Sequence, residues 1–120
     1  MKENILVTLS KQFSIDIINV CYHIDGFKNG NKLANQLLRS GTSIGANIHE
    51  GNYAQSRADF ISKFQIALKE CYETEYWLDI FHASGIITES DHNKLYNQCC
   101  KIRRTLTASL NTAKKQFKLN

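Results

Sequence analysis

Apolar residues recur along this chain at spacings of three and four, the period of a single helix face. Leu6, Leu9, Phe13, Ile17, Val20 and Ile24 make the first stripe, which Gly26 and the run Asn29-Gly30-Asn31 interrupt. A second stripe, Leu33, Leu37, Ser40, Gly41, Ile44 and Ile48, ends before Gly51-Asn52. A third, Phe60, Phe64, Ala67, Cys71, Thr74, Leu78 and Phe81, alternates steps of four and three as the seam of a helical bundle does. The fourth carries Leu95, Cys99, Ile102, Leu106, Ala113 and Phe117. Helix starts are marked by Asn31 as an N-cap and by two capping boxes, Ser56-Arg57-Ala58-Asp59 and Thr88-Glu89-Ser90-Asp91. Gly85 stands where a helix should stop. The pattern predicts helices over roughly 2–25, 31–50, 57–84 and 89–118 and no strand. Four helices of about 30 Å with short connections pack as antiparallel neighbours. The expected fold class is therefore all-α, a single up-and-down four-helix bundle over residues 1–120, a length that supports one core.

Two helices carry more apolar surface than one core needs. The first places Ile15, Ile18 and Tyr22 nearly opposite its main stripe. The third adds Ile66, Trp77 and Ile80 on one flank and Ile61, Leu68 and Tyr72 on the other. A helix apolar on several sides is deeply buried or faces a partner. We expect self-association, with Ile15, Ile18, Tyr22, Ile66, Trp77 and Ile80 as interface candidates; the alternative is a wide core face with scattered exposed aromatics.

The segment LLRSGTSIGANIHEG, residues 37–51, sets Ser40 and Gly41 inside an apolar stripe. A mid-helix glycine costs roughly 1 kcal/mol against alanine, so close approach of a neighbouring backbone must offset it. Arg39, Ser43, Asn47 and Glu50 form a polar ladder beside that stripe, and Glu70 and Glu73 on the third helix are its complement. These six are expected to form a structural polar cluster, with Arg39 bridging to one of the glutamates.

Composition narrows the picture. The chain has no proline, which favours continuous helices. No stretch reaches the 18 or so apolar residues that span a bilayer, and the start MKENILVTLSKQ lacks the features of a signal peptide, so the expected compartment is the cytoplasm with no membrane partner. Cys21, Cys71, Cys99 and Cys100 lack C-x-x-C spacing and read as free thiols. The net charge of +4 is unevenly spread. Residues 58–90 hold two lysines against six acids, and residues 91–120 hold seven basic residues against one acid.

The segments L-x-R-S-x-x-S-I-x-x-N-I-x-E (residues 37–50) and I-A-L-K-E-x-x-E-T-x-Y-W-L (residues 66–78) carry a resemblance that covers nearly the whole chain. It resembles the bacterial four-helix-bundle family of proteins encoded by intervening sequences within 23S rRNA genes, often labelled S23 ribosomal protein. That family is similar to the accessory variability determinant of diversity-generating retroelements. The resemblance implies a homo-oligomeric, pentameric barrel of positive character. The retroelement member implies nucleic acid and a reverse transcriptase as partners. Arg39, Ser40, Ser43, Asn47, Glu50, Glu70, Glu73 and Trp77 match the family's structural residues, and none carries over as catalytic.

Enzyme chemistry finds little footing. His23, His49, His82 and His92 never stand four residues from another histidine or cysteine, there is no H-E-x-x-H, and neither Glu50 nor Glu70 opens a Glu-x-x-His, since Tyr53 and Glu73 stand at the third position on. Gly41 and Gly45 do not belong to a G-x-x-x-x-G-K-[ST] phosphate loop. No cofactor, metal site or catalytic residue is expected. The feature with a functional direction is the basic fourth helix. Lys94, Lys101, Arg104, Lys115 and Lys118 share the face opposite its apolar stripe, with Arg103 and Lys114 at one edge. Such a ridge neutralises phosphates without reading bases, although a surface helix needs charges somewhere and cations suit a helix C-terminus. The sequence thus points to a non-enzymatic bundle that binds RNA or DNA with little sequence preference, as an accessory to a nucleic-acid enzyme. The alternative is a protein–protein adaptor.

Overall fold

The structure, a computed structural model, describes residues 2–27 and 31–119, with side chains for 5–27 and 31–116. It consists of α1 (Lys2–Tyr22), α2 (Lys32–Asn52), α3 (Arg57–Ala83) and α4 (Glu89–Leu119). No strand occurs among the described residues. α3 and α4, at 27 and 31 residues, outrun the expected 30 Å, because no glycine or proline interrupts either. The Asn29-Gly30 part of the first break lies outside the described residues.

The caps show why the helices begin and end where they do. The Asn31 side chain accepts from the Leu33 and Ala34 amides at 3.0 and 3.2 Å. Ser56 accepts from the Asp59 amide at 3.1 Å, and Thr88 from the Asp91 amide at 3.0 Å. Each anticipated capping box is thus present in its serine or threonine half. α3 stops in a Schellman turn: the Gly85 amide donates to the His82 carbonyl at 3.1 Å and the Ile86 amide to the Phe81 carbonyl at 2.8 Å. Gly85 takes φ +76° to do so. α1 ends two residues before Ile24, its last turn tightened by bonds from His23 to Val20 and from Ile24 to Cys21.

Each helix packs beside the next in the chain, and α1 closes the circuit against α4. Contacts between successive helices pair rising residue numbers with falling ones: Cys21 with Ala34 and Ile17 with Gly41, or Asp79 with His92 and Glu75 with Arg103. The core runs the length of a body 51 × 24 × 21 Å in extent. It contains Leu6, Phe13, Ile17, Leu37, Ile44, Ile48, Phe64, Leu78, Phe81, Leu95, Ile102 and Leu106. One stripe member is displaced: Leu33 is 50% exposed, and Ala34 takes the buried place instead. Ala34 lies against α1, where the Cys21 thiol donates to its carbonyl, and a larger side chain would not fit so close an approach. Phe60 lies at the core's edge, and the Phe117 side chain is outside the described residues.

The small residues of residues 37–51 are where α2 meets its neighbours. A Cβ on Gly41 would stand 2.9 Å from Cγ1 and 3.0 Å from Cγ2 of Ile17 in α1. One on Gly51 would stand 2.6 Å from the Phe64 ring of α3. Neither a β-branched side chain nor a packed ring yields easily. In a free helix Gly→Ala stabilises by up to about 1 kcal/mol. Here overpacking reverses the sign. Gly41→Ala and Gly51→Ala are each expected to destabilise by about 1–3 kcal/mol in urea melts.

Candidate functional site

α4 presents its cations in three environments. Lys101, Arg104, Lys114 and Lys115 are exposed and enter no ion pair among the described residues. Lys94 is exposed but stands 3.7 Å from Asp16 of α1. Arg103 is committed to the fold. Its Nε donates to Glu75 of α3 at 2.7 Å, its Nη2 lies 3.4 Å from the Cys100 thiol, and its side chain is 26% exposed. The carboxylate and thiol hold the Arg103 proton above its ordinary affinity. Arg103 therefore leaves the anticipated phosphate-binding set, because its charge is already met by a carboxylate 11% exposed. The Lys118 side chain lies outside the described residues.

Glu75 escaped the sequence reading. It sits next to the buried Thr74 and is itself buried. The available signal was complementary: a strongly acidic helix followed by a strongly basic one must pair some charges where they touch. Asp16, also 11% exposed, escaped likewise; it accepts from Gln98 of α4 at 2.9 Å.

The anticipated polar cluster divides into three parts. Arg39 of α2 bridges Glu70 and Glu73 of α3, and Glu73 also accepts from the Trp77 indole nitrogen at 3.1 Å. Asn47 bonds back to the Ser43 carbonyl and hydroxyl at 2.9 and 3.1 Å, within its own helix. Glu50 pairs with Lys63 at 3.1 Å, about three turns from Arg39. The long ladder on α2 spans most of the helix, so its rungs meet different levels of α3 and cannot converge. The carboxylates that come closest, Glu70 and Glu73, converge on a guanidinium. Among the described residues no group of three or more His, Cys, Asp or Glu could hold a metal ion.

Of the interface candidates, Ile15, Tyr22, Ile66 and Ile80 are exposed, at 51, 60, 40 and 38%. Ile18 is half-buried. Trp77 is half-buried against the core, in contact with Phe81 and bonded to Glu73, so much of its surface is used within the chain. α1 and α3 lie across the bundle from each other, since each packs on α2 and α4. The two exposed apolar faces thus sit on opposite sides.

The remaining chemistry is sparse. A half-open cavity of about 670 Å³ at one end is lined by residues such as Leu6, Phe60, Phe64, Thr105 and Ser109, and among the described residues its lining holds no titratable group. Cys21, Cys71 and Cys99 are buried free thiols. Burial pushes Cys21 up to about 12, and a hydrogen bond with Cys71 together with burial raises Cys99 further. Such thiols pack as small hydrophobes and react poorly. No helix among the described residues is long and apolar enough to cross a membrane.

The family model for the 23S rRNA-intervening sequence protein matches residues 2–108. Among solved structures, a protein of unknown function from the S23 ribosomal protein family of Bacteroides thetaiotaomicron is similar at 40% identity. The match covers 92% of this chain and 99% of that one, with a TM-score of 0.87. No curated protein matches.

Two measurements probe this site. Glu75→Gln leaves a largely buried guanidinium without its countercharge and should cost about 2 kcal/mol in urea melts. Arg39→Ala, at a bridge where the arginine side chain is 54% exposed, should cost less than about 1 kcal/mol. Iodoacetamide followed by mass spectrometry at pH 8 should label half-buried Cys100 first, and Cys21, Cys71 and Cys99 only on unfolding. An unfolded thiol ionises near 9.0 while Cys21 keeps its proton to about 12. Its contribution to stability is therefore full below pH 9 and is lost as pH rises from there toward 12.

Proposed function

We propose that this chain, which belongs to the 23S rRNA-intervening sequence protein family, is an antiparallel up-and-down bundle that binds RNA or DNA without catalysing a reaction, through the outer face of α4. The observation that carries this reading is the contrast between paired and unpaired charge. Lys101, Arg104, Lys114 and Lys115 are exposed with no carboxylate partner among the described residues, whereas Glu70, Glu73 and Glu75 of α3 are each in an ion pair with an arginine and Asp79 is hydrogen-bonded to His92. Four cations along one helix suit a polyanion's backbone. The rising-against-falling pairing of successive helices supports the antiparallel arrangement.

The chain acts as a homo-oligomer in this proposal. Its two exposed apolar faces, Ile15 and Tyr22 on α1 and Ile66 and Ile80 on α3, are different surfaces on opposite sides. Joining unlike faces head to tail generates a ring, in keeping with the pentamer that the retroelement resemblance implies. A ring repeats the α4 ridge in every subunit and raises its avidity. Four buried or half-buried free thiols suit the reducing cytoplasm as the place of action. The same apolar faces favour the second reading, an adaptor that docks a protein partner such as a reverse transcriptase.

Fluorescence anisotropy of a labelled structured RNA and a labelled duplex DNA, titrated with protein at several salt concentrations, separates these readings. Four phosphate contacts per subunit predict that log affinity falls against log salt with a slope of about −3 to −4. Changing Lys101, Arg104, Lys114 and Lys115 together to Glu should abolish binding, while Arg103→Glu should chiefly unfold the α3–α4 seam. Absence of binding at low salt would sink the nucleic-acid reading and leave the adaptor.

A further inference from the structure

We infer that Tyr72 and Tyr76 of α3, set beside the cationic face of α4, form a stacking platform for unpaired bases, so that the ligand class is a single-stranded nucleic acid; this rests on the nucleic-acid reading above and narrows it. α4 by itself offers little to stack on. Its neighbour α3 supplies what it lacks. Tyr72 and Tyr76 are 55 and 57% exposed and stand one helical turn apart on the outer surface of α3, Tyr72 toward α4, where Arg103 covers one face of its ring, and Tyr76 against Trp77. Their separation along the axis is about 6 Å.

Both rings are braced. The Arg103 guanidinium carbon lies 5.4 Å from the centre of the Tyr72 ring, over one face. That guanidinium is itself fixed by Glu75 at 2.7 Å, so it supports the ring and does not wander. The Tyr76 ring meets Trp77 edge-on, with centres 5.2 Å apart and planes at 75°. A braced, exposed aromatic loses little conformational freedom when a base lies on it. A base stacked on tyrosine needs no particular hydrogen-bond pattern, which matches a ridge that reads no sequence.

The surrounding charge favours a polyanion over a second protein. Arg104 of α4, next to Arg103 and about 100° further round the helix, is exposed on its solvent side. The acids nearest the rings are already engaged: Glu73 by Arg39 and Trp77, Glu75 by Arg103, and Asp79 by His92 at 2.8 Å. Arg104 thus offers a phosphate beside Tyr72 a cation, and the two glutamates nearest the rings, Glu73 and Glu75, are already held by arginines. Ile66 and Ile80, the apolar pair suited to subunit contact, turn toward the α2 side of α3 and leave Tyr72 on the α4 side. A duplex keeps its bases stacked on one another and has none to lay on these rings.

The test is anisotropy of a labelled 20-nucleotide single strand and its duplex, as DNA and as RNA, with the full chain and with Tyr72→Ala, Tyr76→Ala, Tyr72→Phe and Tyr72→Leu. Light scattering is run alongside. The wild type is expected to bind the single strand more tightly. Each alanine variant should weaken single-strand binding roughly five- to hundred-fold, the loss of one stacked base, with duplex binding unchanged. Tyr72→Phe should retain the wild-type preference, and Tyr72→Leu, which keeps the bulk and removes the π-face, should lose it. Equal affinity for both forms, untouched by the tyrosine changes yet lost with Lys101→Glu and Arg104→Glu, would overturn the platform and leave the α4 ridge standing. Binding of neither form at low salt would overturn both. Alanine variants that dissociate the assembly while single-strand affinity persists would assign the rings to a subunit interface and overturn the platform.

Discussion

The pairing of α3's acids decides which charges this molecule can offer a partner. Glu70 and Glu73 meet Arg39 of α2, Glu75 meets Arg103 and Asp79 meets His92 of α4. α3 is thereby tied on both sides to the helices that enclose it, and part of its negative charge is met within the fold. Of these pairs, Glu75–Arg103 is the most enclosed. Ion pairs of that kind specify register more dependably than they add stability, because taking two charges out of water offsets most of their attraction. Here the register it sets is also the register that brings Tyr72 against Arg103 and leaves Arg104 facing out.

Much of the fold was legible in the sequence because helices announce themselves by period and punctuation. The stripes led to the core within single residues, and Ser56, Thr88, Asn31 and Gly85 marked boundaries that the backbone bonds reproduce. The exception, Leu33 for Ala34, arose in a first turn, where the period admits either residue and only the closeness of α1 decides. Gly41 was legible as a close-approach residue, though not that Ile17 is what it meets, since that depends on how helices are rotated about their axes; Gly51 was expected as the break that ends α2, and it lies instead within the last turn of α2, against Phe64.

The candidate site was legible by element and less so by residue. Charge blocks named α4 correctly as the cationic helix. They did not separate Arg103 from Arg104, which adjoin in sequence and part by about 100° around the axis. One turns to Glu75, the other to solvent. The same turn made Glu75 invisible, as a helix dense in acids gives no sequence sign of which one is enclosed. The ladder Arg39, Ser43, Asn47 and Glu50 failed as a cluster for a related reason: a shared face fixes direction, whereas a site also needs a shared level along the axis, and these residues span three turns.

Net charge is a poor guide to a molecule arranged this way. A formal +4 over 120 residues is modest, but an internal ion pair removes one charge of each sign from view and leaves the difference concentrated on whatever remains outside. In this chain α4 holds the largest share of the exposed cations, since Glu70, Glu73 and Glu75 of α3 are turned inward or toward neighbouring arginines. A polyanion approaching α4 experiences the local field within about 8–10 Å at physiological salt, not the sum over the whole protein. If subunits close into a ring, each adds the same face at the same height, and the spacing between ridges, rather than the total charge, sets how long a strand must be to touch two of them. Flexible single strands meet that geometric demand more readily than a stiff duplex, whose persistence length of about 150 base pairs resists following a small ring. The physics of assembly and the physics of base stacking therefore favour the same kind of ligand for separate reasons.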